Sequence, residues 1–394
     1  MLVEEAADIA SRVGAVGEEV IRWRRHLHRH PELSFQEKET ARFVFETLRE
    51  FDGLEVSRPT ATGVLARLKG AFPGPVLALR ADMDALPIQE ESSLEFTSRV
   101  PGVMHACGHD GHTAILLGTA RVLAGLRDRL HGEVRFVFQH AEEVYPGGAR
   151  ELVAAGVMEG VDRVVGLHLW SPLPVGRIEV TPGPVLAAPD EFRITVRGRG
   201  GHAAQPQETV DPILAAAQVV VNLQQIVSRL VDPRQPVVVS VTRFHAGTAH
   251  NIIPETAELN GTVRTFKPEI QGRVSSLMER IVRGVTQAHG ATYDFRYQPG
   301  YRPVVNDPGV TAEVREILVE AFGEAAVVAG VPDMGGEDFS AYQEAAPGTF
   351  FMVGAGDGTG KAYPHHHPRF TINEESLPVG VKAFVHIALR MLAG

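Results

Sequence analysis

The sequence lacks the features that define several protein classes. A single cysteine in 394 residues excludes a disulfide within the chain, which is typical of a reducing compartment. The net charge is −10, whereas nucleic-acid and anionic-membrane binders need clustered positive charge. The longest apolar stretches, residues 114–126 and 213–223, are interrupted by Arg121 and Gln218 and are too short to span a membrane. We therefore expect neither nucleic acid nor a membrane as a partner. Since the amino terminus is acidic and lacks an export signal, we expect a cytoplasmic location.

What is present indicates a globular protein of two domains. Hydrophobic residues make up 44% and charged residues 22%, and the length exceeds the ~250 to 300 residues at which one core stops growing. Apolar runs at 76–79, 134–138, 164–167 and 350–353 alternate with helical stretches, which predicts an α/β domain with a largely parallel sheet. Residues 187–300 instead follow a βαββαβ order, which is typical of a ferredoxin-like α+β layer. We predict a discontinuous catalytic domain, residues 1–186 and 301–394, with residues 187–300 inserted into it.

Polar side chains follow the predicted strands where each one ends. Ligands of open α/β sheets bind outside the carboxyl ends of strands, so these residues should converge. They are Asp82, Asp84, Glu142, Glu143 and His168, joined by Cys107 and His109 before a helix and by His365, His366 and His367. Thiolate, imidazole and carboxylate together favour Zn²⁺ or a similar first-row ion over Mg²⁺ or Ca²⁺, and there are enough donors for two ions.

Each of these residues also has a simpler interpretation. Cys107 could be a small buried hydrophobe, and the tandem histidines could be a solvated loop. Asp82 and Asp84 could cap the following helix. Paired glutamates usually mark a charged surface, although these two follow an apolar strand. In a metal site one glutamate would be a ligand and the other a general base.

Several motifs resemble a known family when taken together and in order. They are RADMDALP, MHACGHDGHT, FQHAEE, GLHLW, GRGGHAAQP, HNIIPETAELNGTVRTF, GGEDFS and HHPRFTINEESLPVG. The chain resembles, from RRHLHRHPELSFQE onward, the co-catalytic metallopeptidases that include aminoacylase and carboxypeptidases. The MHACGHD and AEE segments are similar to the amidohydrolase branch of that family, in which Cys replaces an Asp of other branches.

The resemblance implies two divalent ions per subunit, of Zn, Mn, Co or Ni. Cys107 would bridge the two ions, with His109 and His168 completing one site. Glu143 and His366 would complete the other, His366 being chosen because it stands two residues before Pro368 in an HxPxF pattern. The remaining implied roles are those of Glu142 as general base and of Asp82 and Asp84 as supports behind the ligands.

One departure from the family pattern lies beside the two glutamates. Relatives usually read QPAEE, whereas this chain has His140 in place of the proline. An additional imidazole this close to Glu142 could alter the pKa of the base or contact a metal.

The resemblance also implies that the inserted domain acts as a lid and forms the contact between subunits of a homodimer or homotetramer. His202 would approach the scissile carbonyl, and Asn251 and Arg264 would bind the substrate carboxylate. By the period of two, Arg264 shares a strand face with Thr262 while Val263 packs inward. The alternative interpretation is that Arg264 is a solvent-exposed residue on a half-buried strand.

The expected activity is metal-dependent hydrolysis of the amide of an N-acyl amino acid, for example an acetyl or benzoyl derivative. Hydroxide supplied by the metals would attack the carbonyl while Glu142 transfers the proton. One alternative is a carboxypeptidase or dipeptidase acting on short peptides. An alternative of another class is a catalytically silent protein that binds a metal or an amino acid.

Overall fold

A computed structural model describes residues 2–360 and 362–393. The helices are α1 (Leu2–Arg29), α2 (Lys38–Arg49), α3 (His109–Ala124), α4 (Gly148–Ala154), α5 (Pro212–Leu223), α6 (Pro268–Ala288), α7 (Pro308–Phe322), α8 (Ser340–Gln343) and α9 (Ser376–Met391). The strands are β1 (Leu54–Ser57), β2 (Val64–Lys69), β3 (Phe72–Asp82), β4 (His131–Gln139), β5 (Arg163–Pro174), β6 (Ile178–Glu179), β7 (Gly183–Leu186), β8 (Ala188–Arg197), β9 (Gly201–His202), β10 (Val237–Ala246), β11 (Ile252–Ile253), β12 (Thr256–Thr265), β13 (Thr292–Gln298), β14 (Val304–Asn306), β15 (Val327–Val328) and β16 (Gly348–Gly356).

These elements form two compact units. The first comprises Met1–Gly183, Val305–Val331 and Asp338–Gly394, and the second comprises Pro184–Val304 and Pro332–Glu337. The short segment Pro332–Glu337 belongs to the second unit, where Asp333 donates its backbone N–H to Val185 and Ala187 donates to Gly335.

The first unit is a mixed α/β structure around an eight-stranded sheet. The strand order is β1-β2-β4-β3-β5-β16-β6-β15, and the central strands β4, β3, β5 and β16 run parallel. Every residue of β16 is buried, as expected for a parallel strand covered on both faces. Helix α3 packs against α1 and α9 and is buried along nearly its whole length. The prediction of an α/β fold with a largely parallel sheet is confirmed.

Two elements of the first unit are longer than their apolar runs suggest. Strand β5 continues past His168 to Pro174 because its backbone keeps pairing with β16 as far as Gly356. His168 therefore lies within a strand and not at its end. Helix α1 extends back to Leu2, well before the apolar residues that indicated it.

The second unit contains a four-stranded antiparallel sheet in the order β10-β12-β8-β13. Helices α5 and α6 pack against each other, and a core that includes Ile194, Val219, Leu259 and Met278 joins them to the sheet. Helix α5 begins where the Asp211 carboxylate accepts two backbone N–H bonds, with proline at the first position.

Helix α5 continues through a π-helical turn to Leu230. The stretch Pro212–Leu230 is long and apolar enough to cross a membrane by length and composition alone, which the interrupted apolar run in the sequence did not predict. Length and composition are weak evidence of a membrane span when a single helix meets them. Ala215, Val219 and Leu223 pack into the core of the second unit.

Candidate metal centre

The start of helix α3 places two of the predicted ligands side by side. Gly108 precedes the helix with φ of 95°, a left-handed conformation that glycine adopts without steric cost. The chain therefore turns sharply between Cys107 and His109. The next helix is not capped by Asp82 or Asp84, so the capping alternative is wrong.

Side chains from distant segments meet around Cys107. In each group the donor atoms lie within 4.8 Å of one another. The groups of the first unit are Cys107, His168 and His365; His109, His112 and His168; Cys107, Glu143 and His366; and His109, Glu142 and Glu143. The structure thus brings together all five predicted ligands and the predicted base. Since Cys107 is surrounded by polar groups, it is not a small residue in an apolar core.

Hydrogen bonds orient two of the histidines so that one nitrogen faces the cluster. His109 Nδ1 lies 3.0 Å from the carbonyl oxygen of Asp84, and His168 Nδ1 lies 2.8 Å from that of Leu169. Each Nδ1 must carry the proton, because a carbonyl only accepts. This leaves Nε2 of His168 with a lone pair, 3.5 Å from Cys107 Sγ. Although burial lowers the pKa of His109, the charge of Asp82 and the hydrogen bond to Asp84 raise it well above its usual value, so His109 without a cation also carries a proton on Nε2. Burial and the neighbouring His112 lower the pKa of His168, which keeps it neutral.

Glu143 and His366 form the other side of the cluster. His366 Nε2 lies 3.4 Å from Glu143 Oε1, and its backbone N–H donates to the Ala106 carbonyl over 2.8 Å. The Cys107 sulfur and the Glu143 carboxylate raise the pKa of His366 to about 10. Burial and the charge of Glu143 raise the pKa of the Cys107 thiol. Without a cation, protons occupy this cluster of negative groups.

The neighbours of His366 have other partners. His365 Nε2 accepts the backbone N–H of Ser171 at 3.3 Å, so its Nδ1 carries a proton and lies 3.7 Å from Cys107 Sγ. His365 is therefore oriented as a donor to the sulfur. His367 Nδ1 accepts the backbone N–H of Arg369. This geometry favours His366 as the ligand of the three.

His112 lies in the cluster although the sequence did not single it out. Its Nδ1 lies 2.6 Å from Asp82 Oδ1, and its Nε2 accepts the Leu169 N–H at 2.8 Å. Both nitrogens are thus in use, which assigns His112 to support and not to metal binding. Its place one helical turn after His109 was a signal that could have identified it.

Asp84 holds two ligands at once. Its carbonyl oxygen fixes His109, while its Oδ2 accepts the backbone N–H of Glu143 at 3.0 Å and the hydroxyl of Ser34 at 2.6 Å. Although burial raises the pKa of Asp84, the interaction with His109 outweighs it and lowers the pKa. The carboxylate therefore stays charged and can act as a support behind the ligands.

A buried charge network lies behind Asp82. Arg80 is fully buried and donates to Asp82, Gln139 and Asp338 over 2.8 to 3.0 Å. Gln139 also donates to Asp338. This network thus joins strand β3, strand β4 and the segment before α8. Sequence reasoning missed Arg80 and Asp338, although an arginine within an apolar strand was a visible signal.

The ring of His140 has hydrogen-bond partners other than the predicted metal ligands. Its Nε2 lies 3.0 Å from Glu151 Oε2, and its Nδ1 lies 3.5 Å from the Thr60 hydroxyl. Neither partner belongs to the cluster around Cys107. A contact of His140 with a metal, or an effect on Glu142, stays a prediction.

The predicted residues of the inserted segment all lie in the second unit. Strands β9 and β11 pair His202 with Ile252, and Ala203 donates its backbone N–H to Asn251. His202 and Asn251 are thereby brought together, whereas Arg264 is on β12. Burial alternates along β12 as predicted, with Val263 buried and Arg264 half-buried.

The cluster in the first unit fits metal ions. His109 Nε2 and Glu143 Oε1 are buried and lack a hydrogen-bond partner within residues 2–360 and 362–393. Buried polar atoms are rarely left in this state, so the two point to a missing ligand. A thiol, imidazoles and carboxylates together form a donor set for first-row divalent ions.

Comparisons with known proteins show which family the chain is similar to. The model of peptidase family M20/M25/M40 matches residues 78–390. An N-acyl-L-amino acid amidohydrolase of Geobacillus stearothermophilus is 62% identical over 299 residues, which cover 76% of this chain and 81% of that protein. Thermostable carboxypeptidase 1 of Saccharolobus solfataricus is 43% identical, over 94% of this chain and 95% of the relative.

A solved structure from Bacillus subtilis is described as a dinuclear metal-binding peptidase of the M20 family. It is 42% identical and superposes with a TM-score of 0.83, over 96% of this chain and 99% of that one. The family match covers most of the chain, and these three proteins cover 76%, 94% and 96% of it. The chain is therefore a hydrolase and belongs to peptidase family M20/M25/M40.

Proposed function

We propose that this protein hydrolyses the amide bond of N-acyl amino acids, releasing a carboxylic acid and a free amino acid. The observation that carries the proposal is a buried glutamate, Glu142, whose carboxylate lies within 4.8 Å of the donors His109 and Glu143. A protein that only stores a metal does not need a second carboxylate beside the ligands. The amidohydrolase from Geobacillus stearothermophilus supports the choice of substrate.

Two divalent ions held by Cys107, His109, His168, Glu143 and His366 would polarise the substrate carbonyl and lower the pKa of a water molecule. Glu142 would take the proton of the attacking water and return it to the leaving amine. Asp84 would hold His109 and Glu143 in place through the bonds described above.

His202 would stabilise the negative charge that develops on the carbonyl oxygen. Its Nδ1 accepts the backbone N–H of Ala204 at 3.0 Å, so the proton is on Nε2. Nε2–H is thus a donor available to an oxyanion. Asn251 lies close to His202, because the neighbouring residue Ala203 donates its backbone N–H to Asn251. Asn251 would bind the substrate together with Arg264.

Arg264 would bind the substrate carboxylate. Its guanidinium donates to Thr262 Oγ1 and to the Val263 carbonyl, and it offers more donors than these two bonds use. Arginine binds carboxylates through paired N–H donors, which supplies local positive charge in an acidic protein.

Replacing Arg264 by alanine should raise KM and lower kcat/KM by about 10- to 100-fold, the contribution of hydrogen bonds to a charged group. The loss should nearly vanish on substrates whose carboxylate is amidated. Arg193→Ala, an exposed arginine on the neighbouring strand β8, is the matched control and should leave both substrates unaffected. Equal losses of Arg264→Ala on the two substrates would show that Arg264 supports the second unit instead.

A carboxypeptidase is the second candidate, favoured by the 43% identical relative from Saccharolobus solfataricus. Both kinds of substrate present an amide beside a free carboxylate. Comparing kcat/KM on hippurate, N-acetyl amino acids and dipeptides distinguishes the two. Metal-replete protein that is inactive on all three would instead indicate a protein that only binds metal or amino acid.

We also propose that the second unit acts as a lid and pairs subunits in a homodimer, or a dimer of dimers. Strand β10 is an edge strand, which another chain can extend. Beside it, helix α5 exposes Leu214 by 53% and Val221 by 66%. An exposed apolar surface of this kind is typical of protein contacts. The cytoplasmic location stays a prediction.

Sedimentation should show a dimer at micromolar concentration. Val221→Asp should produce monomers, because a buried unpaired charge is strongly unfavourable. Val331→Asp, at an exposed valine of the first unit, should remain dimeric. A wild-type protein that sediments as a fully active monomer would contradict the proposed dimer.

A further inference from the structure

The loop that carries the two glutamates begins with an unusual backbone conformation. Ala141 has φ of 49°, in the left-handed region that residues with a Cβ rarely adopt. It lies directly after the end of β4 and His140, and it directly precedes Glu142. The surroundings must therefore hold this backbone, since alanine gains nothing locally from the conformation.

Glu37 is the side chain that holds it. This glutamate is fully buried, and its Oε1 accepts the backbone N–H of Ala141 at 2.8 Å and that of Phe35 at 3.0 Å. Phe35 is also left-handed, with φ of 64°. One carboxylate oxygen thus binds the N–H groups of two strained residues from distant parts of the chain. Burial raises the pKa of Glu37 to about 7.

Other bonds fix the same loop on either side of Glu142. The Ala141 carbonyl accepts the N–H of Gly148 at 2.9 Å, and Asp84 Oδ2 accepts the N–H of Glu143 at 3.0 Å. The Ala141 carbonyl is thus bound by the backbone of the same loop, whereas the Ala141 N–H is bound by the side chain of Glu37, which is distant in the sequence. Without Glu37, a buried N–H would lose its acceptor and the backbone could relax toward ordinary φ values.

We propose that Glu37 is a positioning residue that holds Ala141 in the left-handed conformation and thereby sets the places of Glu142 and Glu143. The proposal rests on the proposed hydrolysis for its kinetic consequence. Glu37 does not touch the reacting atoms in this proposal. It acts through one backbone N–H and decides where the base and its neighbouring ligand stand.

Three variants test this role. Glu37→Ala removes the acceptor, and Glu37→Gln keeps an oxygen that can accept both N–H bonds without a charge. Leu48→Ala, at the other end of helix α2, removes a fully buried side chain and serves as a control for lost stability alone. With saturating metal, Glu37→Ala should lower kcat by about 10- to 100-fold with little change in KM, because small displacements of a catalytic group have effects of this size. Glu37→Gln should retain most of kcat.

A second measurement does not depend on activity. Hydrogen exchange of metal-free protein should show faster exchange in the peptide covering residues 140–145 of Glu37→Ala, but not in the same peptide of Leu48→Ala. Unchanged exchange there, or a kcat as high in Glu37→Ala as in Leu48→Ala, would overturn the proposal, as would a Glu37→Gln variant no better than Glu37→Ala. If the wild type cleaves no acyl amino acid, the proposed function fails, whereas the exchange result still decides the role of Glu37.

Discussion

Replacing Glu142 by glutamine is expected to lower kcat by about 10²- to 10⁴-fold, the usual contribution of general acid-base catalysis, while both metal ions stay bound. Glutamine has nearly the same shape as glutamate but cannot take a proton. The donors that would hold the ions, Cys107 and four others, are unchanged by the substitution. The measurements are steady-state kinetics and elemental analysis of the same preparation.

Glu143→Ala is the matched comparison for that experiment. Glu143 Oε1 lies within 4 Å of both His109 Nε2 and His366 Nε2, so its removal should lower the metal content as well as the rate. Activity of Glu143→Ala should recover in part when excess metal is added, whereas that of Glu142→Gln should not. Loss of metal from Glu142→Gln together with full metal in Glu143→Ala would reverse the two assignments.

Replacing Cys107 by alanine should lower the affinity for both ions by more than ~100-fold, the upper range seen when a residue behind the ligands is removed. Its sulfur is a member of two donor groups, one with His168 and one with Glu143 and His366. A single substitution therefore disturbs both sites at once. Metal content after dialysis against a defined free-metal concentration measures the effect.

Variants of two neighbouring histidines serve as controls for the Cys107→Ala experiment. His365→Gln should have a smaller effect, of about 10- to 100-fold in affinity, because His365 donates to the sulfur and does not bind metal in this assignment. His367→Ala, whose ring binds the Arg369 N–H, should leave the affinity unchanged. Retention of one tightly bound ion by Cys107→Ala would show that the thiolate does not bridge.

One physical property of parallel sheets made it possible to predict both the sheet and the convergence of the candidate ligands from the sequence. Parallel strands end at the same edge, so polar residues after β3 and β4 had to approach one another. Asp82 and Glu143 could be located in this way without any coordinates. The strands and helices of the second unit could be predicted because the hydrophobic period changes between them.

Other parts of the site depend on contacts that no local pattern encodes. The HxPxF pattern selects His366 by resemblance alone, whereas the physical reason lies in the bonds of His365 to Ser171 and of His366 to Ala106. The role of Glu37 depends on a residue 104 positions away in the chain. Periodicity describes which side chains are buried, but it does not describe which distant backbone group they bind.

The buried network around Arg80 has a consequence for the behaviour of the site on heating. Removing charged groups from water costs less free energy as temperature rises, because their hydration is entropically unfavourable. The bonds of Arg80 to Asp82 and Asp338 therefore oppose a desolvation penalty that shrinks on warming. We therefore expect the strand ends that carry the predicted ligands to keep their mutual positions up to the temperature at which the first unit unfolds. Loss of activity on heating should then occur at the same temperature as this unfolding.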